Sequence, residues 1–416
     1  MTEHPTSWRV TTLGAVANYW NGRAFKKSEW REAGRGRPII RIQDLTGSRG
    51  TPNYFDGEVD DRHIARSGDI LVSWAATLGV FVWNGPDAVI NQHIFKVEPL
   101  VDRRFLRYLL EAVLDDLRRR SHGTGIVHVT RKAFDDTPVA LPPDTEQQRI
   151  VDVIEEQFSR LDDAEASLRK ARHSLYAMRA SVLATVGAPE WTRKRIGDVF
   201  NVSVGTTPSR SNAALWNGGI PWVSSGEVAF CRITATRETI SAAATTPDRV
   251  HPPGTVLLAM IGEGKTRGQA AVLDVAAAHN QNSAAIRVDH GVALPEWVYY
   301  VLMQRYAVTR QAGSGNNQPA LNKSRVQEIE IPLPPVEEQH RIVGEIESRL
   351  SIIEAIEATI KHSITRVNLI RRSILEQAFS GRLVPQDPDD EPASNLPARV
   401  ASAHATTNHP RRRIQV

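Results

Sequence analysis

Among 416 residues there is one cysteine, Cys231. An intrachain disulfide is excluded, and a reducing compartment, the cytoplasm, is the expected location. No apolar run approaches the ~20 residues that cross a bilayer. The first ten residues, MTEHPTSWRV, carry no basic-then-apolar leader pattern, so no membrane association is expected. Neither sign of charge dominates: the formal net charge is +4, which permits a polyanionic partner without requiring one. An apolar fraction of 41% and a charged fraction of 24% are those of a globular protein of two or three domains.

Catalytic motifs are also scarce. Pro247-Asp248 followed by Glu263-Gly264-Lys265 has the spacing of a metal-dependent nuclease triad, but so short a pattern arises often by chance. Gly262-Glu263-Gly264-Lys265-Thr266 has the end of a phosphate-binding loop, and its required first glycine is Ala259 instead. The Pro-Pro pairs precede Asp144, Gly254 and Val336, never the aromatic of an adenine-methyltransferase motif. No histidine pair has helical zinc-ligand spacing with a third ligand. The expectation is a non-enzyme with no metal and no bound cofactor of its own.

What the chain does have is an internal repeat. Leu141 to Pro189 falls without a gap on Leu333 to Gly381, at a constant offset of 192 residues. Leu-Pro-Pro meets Leu-Pro-Pro, Glu146-Gln147 meets Glu338-Gln339, and Arg149-Ile150-Val151 meets Arg341-Ile342-Val343. In the first copy Ile154, Leu161, Leu168, Leu175 and Val182 recur every seven residues, with Ala164, Ala171 and Met178 three residues after members of the series. In the second, Ile346, Ile353, Ile360, Val367 and Ile374 hold that register, joined by Ile356 and Ile370. This is the seam of a coiled coil. Two matching seams in one chain predict that the helices pair with each other, as rods of roughly 60 Å at ~1.5 Å per residue. Asp144 with Gln147 reads as a near capping box, which Val336 does not share.

The stretches before each helix also correspond. Trp8 pairs with Trp191, Leu13-Gly14 with Ile196-Gly197, Gly22 with Gly205, Gly68 with Gly254, and Asn91-Gln92 with Asn280-Gln281. Between these landmarks the side chains differ, so two scaffolds of one shape present two surfaces. Gly68–Trp83 reads as strands around a turn, Arg103–Arg120 as a helix, and Ser121–Phe134 as a loop. The expected domains are 1–143, a helix 144–187, a second domain 188–335, a helix 336–384, and a disordered tail 385–416. The fold class is α+β, with two similar α/β domains separated by two long helices that pair as an antiparallel coiled coil about a pseudo-twofold.

This order resembles the specificity subunit of type I restriction–modification enzymes. The resemblance rests on the helix starts at Leu141–Val151 and Ile331–Val343, on Gly205-Thr206-Thr207-Pro208-Ser209-Arg210 with Trp216–Trp222, on the Asn-Gln pairs, and on Ile374–Val384. It covers Trp8 to about Pro385. The first domain departs from it by lacking the Thr-Pro-Ser and Ile-Pro-Trp stretches. The resemblance implies that each domain is a target recognition domain reading one half of a split, asymmetric site in double-stranded DNA. It also implies a spacer helix pair, two docked methyltransferase (M) subunits that hold S-adenosylmethionine and methylate adenine, and restriction (R) subunits where cleavage is added. A coiled-coil adaptor that binds proteins, and a self-sufficient nuclease using Asp248, Glu263 and Lys265, are the rival readings.

Base edges are read by Arg, Lys, Asn and Gln, and phosphates by basic side chains and backbone amides. The candidates for DNA contact in the second domain are Arg210, Lys265, Arg267, Gly313, Ser314, Gly315, Asn316, Asn317, Gln318, Lys323 and Arg325. In the first they are Trp74, Gly123, Thr124, Gly125, His128, Arg131 and Lys132. A surface turn for the glycines and a solvated face for the basic residues are the plain alternatives. Asn91-Gln92 and Asn280-Gln281 are expected to anchor buried turns.

Overall fold

The computed structural model describes residues 4–48, 51–75, 77–121, 131–187, 190–262, 264–311, 321–391 and 393. The chain divides into two compact units, one of residues 1–167 and 363–416, the other of residues 168–362.

In the first unit, β1 (Arg9–Thr12) pairs antiparallel with β10 (Pro138–Leu141). One four-stranded sheet has the order β2 (Ala17–Asn21), β9 (Ile94–Pro99), β6 (Ile70–Ser73), β7 (Gly79–Val82). A second has the order β4 (Asn53–Phe55), β3 (Arg37–Ile40), β8 (Ala88–Ile90), β5 (Ile64–Ala65), with β3 and β8 parallel. Helix α1 (Arg103–Ser121) follows β9.

The second unit repeats these pairings. Here β11 (Arg193–Arg195) pairs with β20 (Glu330–Pro332). The larger sheet runs β12 (Asn201–Val204), β19 (Ser283–Arg287), β16 (Val256–Ala259), β17 (Ala270–Leu273), β14 (Cys231–Ile233). The smaller runs β15 (Glu238–Ile240), β13 (Trp216–Val223), β18 (Ala278–His279), with β13 and β18 again parallel. Strand β14, added alongside β17, distinguishes this unit.

The landmark residues explain the shared path. Ile70–Ser73 and Val256–Ala259 are buried along their whole length, as continuous apolar runs in central strands should be. Each is entered through a glycine in the left-handed region, Gly68 at φ +91 and Gly254 at φ +83, where a β-carbon would be strained. Gly22 and Gly205 are glycines for another reason: a β-carbon would lie 2.2 Å from the Asn91 carbonyl oxygen in one unit and 1.9 Å from that of His279 in the other.

The loop expected over Ser121–Phe134 closes with a short helix, Arg131–Asp135. Gly14 packs on it through Asp135, as Gly197 packs on Lys323–Gln327 through Gln327.

The repeat forms two long helices, α2 (Asp144–Ala184) and α4 (Val336–Ala378), either side of α3 (Pro295–Gln304). Within the first unit α2 and α4 run antiparallel. Asp390, just beyond α4, meets Thr145 and Arg149 at the start of α2, while Arg371 meets Asp162, Glu165 and the Phe158 ring further along. Within the second unit Arg179 of α2 lies 3.9 Å from Glu354 of α4.

All of Ile346, Ile353, Ile360, Val367 and Ile374 are buried, as are Ile154, Leu175 and Val182, with Leu161 and Leu168 half-buried. The three-residue companions are not in the seam: Ala164 and Ala171 are exposed, and Met178, Ile356 and Ile370 are 53%, 41% and 38% exposed. The second position lies four residues after a heptad member instead, at Phe158, Glu165, Leu350, Ile364, Arg371 and Ala378. Two of these, Glu165 and Arg371, are charged, which hides them from an apolar pattern.

At the start of α2 the Asp144 carboxylate accepts from the Gln147 side-chain amide at 3.3 Å. The Gln147 side chain donates to the Pro142 carbonyl at 3.0 Å, and its counterpart Gln339 donates to Pro334 at 2.8 Å. These buried amides tie each Leu-Pro-Pro segment to its helix and explain why the Gln repeats. The described residues just after Pro385 contact the start of α2. Gln386 donates to Glu146 at 2.6 Å and Asp390 pairs with Arg149 at 2.6 Å, because an acidic side chain at a helix start satisfies both the positive helix end and the arginine.

Candidate nucleic-acid interface

The residues marked for DNA contact fall into three groups. Gly123, Thr124, Gly125 and His128, with Gly313, Ser314, Gly315, Asn316, Asn317 and Gln318, lie outside the described residues. In the sequence both stretches precede the short helices Arg131–Asp135 and Lys323–Gln327.

A second group is exposed. Lys132, Lys323 and Arg325 sit on those short helices, with Asn322 capping the second by accepting from the Arg325 backbone amide at 2.9 Å. Arg131 is exposed but held: its Nε donates to Asp135 at 2.7 Å, and its guanidinium lies 5.3 Å from the centre of the Phe95 ring. Lys265 is exposed, and its carbonyl accepts from the Tyr306 hydroxyl at 2.6 Å.

A third group is built into the scaffold. Arg267 is buried and donates to the Arg310 carbonyl at 3.1 Å. Trp74 is half-buried, stacked on Phe95 at 5.7 Å between ring centres. Asn280 is buried and its side chain accepts from the backbone amide of Asn282 at 3.2 Å, so it anchors its turn.

Arg210 has the most elaborate setting. It lies between Gly205 and β13, on a segment fixed by tryptophan. The Trp222 indole donates to the Thr206 carbonyl at 3.0 Å and the Trp216 indole to that of Ser209 at 3.1 Å. The Arg210 guanidinium lies 3.7 Å from the centre of the Trp216 ring, and both terminal nitrogens bond the two oxygens of Glu238 on β15. The arginine holds the Glu238 carboxyl below the usual carboxylate range.

The first unit carries a matching set that the sequence did not mark. Arg23 directly follows Gly22, as Arg210 follows Gly205 at a few residues' distance. Its guanidinium lies 5.0 Å and 4.9 Å from the centres of the Phe25 and Phe55 rings, and it is ion-paired to Glu29. Phe55 belongs to β4, the counterpart of the strand that carries Glu238. An arginine with an aromatic two residues on and a glutamate six residues on is too common a pattern to stand out in a single sequence.

Strand β18, in one sheet with β13 and β15, carries one member of a buried histidine pair. His251 and His279 have ring centres 5.0 Å apart. Burial pushes them down to about 4 and about 3 respectively. Arg287 Nε donates to His251 Nδ1 at 3.0 Å, which requires that nitrogen to be an unprotonated acceptor.

Among the described residues no group of three or more His, Cys, Asp or Glu is placed to hold a metal ion. Among these residues, too, no helix is long and apolar enough to cross a membrane. Of the nuclease-like triad, Asp248 is in a short helix at Pro247–Arg249, where Arg287 binds its carbonyl at 2.5 Å, and Glu263 lies outside the described residues.

Comparison with known proteins adds the family. The model of the type I restriction modification DNA specificity domain matches residues 5–170 and again 189–366. The chain is 24% identical to the type I restriction enzyme EcoBI specificity subunit of Escherichia coli, over 91% of this chain and 87% of that one. It is 23% identical to the MjaVIII specificity subunit of Methanocaldococcus jannaschii, over 84% and 88%. Among solved structures, one described by the assembly and conformational transition of the type I R-M system shares the fold at a TM-score of 0.73, with 22% identity over 92% of this chain and all of that one. The HsdS subunit from Thermoanaerobacter tengcongensis follows at 0.51, with 23% identity over 92% and 98%. The chain belongs to the type I restriction–modification DNA-specificity family, and is a sequence-recognising, non-catalytic subunit of such a system.

Proposed function

We propose that the chain directs adenine methylation to an asymmetric, two-part DNA site. The first unit reads one half and the second unit the other. Two M subunits dock on the long helices, holding the S-adenosylmethionine that this chain does not bind, and R subunits join where cleavage occurs. The observation that carries this reading is the repetition of one strand-pairing scheme under two unlike sets of surface side chains. Equal scaffolds with equal surfaces would ask for a symmetric site.

A docking role for the helices is supported by apolar side chains that pairing leaves uncovered. Within the second unit Tyr176, Met178, Ile352 and Ile356 are all exposed, more than a solvated helix pair normally shows. The protein-only adaptor is disfavoured by family membership, as is the self-sufficient nuclease of Asp248, Glu263 and Lys265. Co-expression with the cognate methyltransferase, followed by mapping of methylated adenines, tests the proposal. The expected pattern is one split motif with unlike halves. A symmetric motif, or methylation without sequence preference, contradicts it.

A further inference from the structure

We infer that Arg210 with Glu238, and Arg23 with Glu29, are base-reading pairs, each directed at a G·C pair in the half-site of its unit. The inference rests on the proposed reading of the two units as half-site readers. Exposed ion pairs contribute about 0–1 kcal/mol to folding, and the Arg210 and Glu238 side chains are 56% and 37% exposed. Stability alone is therefore a poor reason for so complete an arrangement. Two unrelated local sequences have also produced the same device, an arginine on an aromatic shelf facing a glutamate, in corresponding segments of corresponding domains.

The chemistry suits a base pair better than a phosphate. A guanidinium held over an indole and paired to a carboxylate has already lost its freedom to swing, so it loses little more on binding. Its fork matches guanine O6 and N7, while a carboxylate beside it accepts from cytosine N4. The same carboxylate works against phosphate: it neutralises the arginine and repels the backbone. Without the glutamate the arginine would grip any sequence, since phosphate contacts carry no sequence information.

The test uses the assembled complex with its methyltransferase partner. Duplex binding is measured across salt concentrations, and methylated motifs are mapped for R210A, R210K and E238Q, with R23A and E29Q as the parallel set. Wild-type binding with a split motif establishes the half-site reading independently. R210A is then expected to weaken cognate binding roughly ten- to hundredfold. It relaxes the motif at one G·C position of one half and leaves the salt slope unchanged. R210K gives the same relaxation, because an ammonium lacks the fork. E238Q steepens the salt slope by about one and narrows the gap between cognate and other DNA. R23A relaxes a position in the other half. An unchanged motif in R210A overturns the inference, as does uniform weakening with a shallower slope that R210K rescues, which would mark a phosphate contact.

Discussion

A histidine buried as a neutral ring makes folding sensitive to acid. His279 and His251 stand near 3 and 4 in the folded chain against about 6.5 when unfolded. Their depressed values mean the unfolded chain binds protons first as pH falls. The stability tied to these rings is thus complete above about pH 6.5 and is lost progressively down to about pH 3. Urea unfolding followed through tryptophan fluorescence is expected to show a loss of a few kcal/mol over that window, with an uptake approaching two protons. A flat profile from pH 7 to 4 would contradict the assignment. Asp390 acts in the same direction at lower pH. Arg149 holds its carboxyl below the usual range, so the tail contact is complete above about pH 4 and weakens below it.

The long helices show how an element can be visible in a sequence while its packing is not. Heptad recurrence from Ile346 to Ile374 was enough to find the helix and one seam position. The second position escaped because Glu165 and Arg371 occupy it, joined across the helices at 3.6 Å. Apolar Ile356 and Met178 pointed to the wrong side, since they lie three residues rather than four after the seam. Truncation separates the two classes. Ile353→Ala, at a side chain 1% exposed, is expected to cost about 2–5 kcal/mol, whereas Ile356→Ala stays within roughly 0.5 kcal/mol and instead weakens capture of the methyltransferase. Equal costs in thermal or urea unfolding would refute this register. Buried polar anchors were equally hidden. Gln147 looked like part of a capping box and, like Gln339, ties down a proline carbonyl, while Arg267 looked like a DNA contact and is buried against Arg310. Nothing local in a sequence distinguishes a polar group facing solvent from one satisfied inside the fold.

For the whole molecule, the repeat made the two-domain, two-helix plan legible before any coordinates. Ungapped similarity over the helices reports shared geometry, and divergence between the domain landmarks is what the proposed pair of unlike half-sites requires. The central claim is that these helices set the distance between two half-sites. Removing one heptad from each, residues 165–171 and 362–368, follows the antiparallel register seen at Asp162–Arg371 and Arg179–Glu354 and shortens each rod by ~10 Å. Methylation mapping of the assembled complex should then give the same two half-sites with a gap shorter by about three base pairs. An assembled complex that methylates the original motif with its original gap would contradict the account.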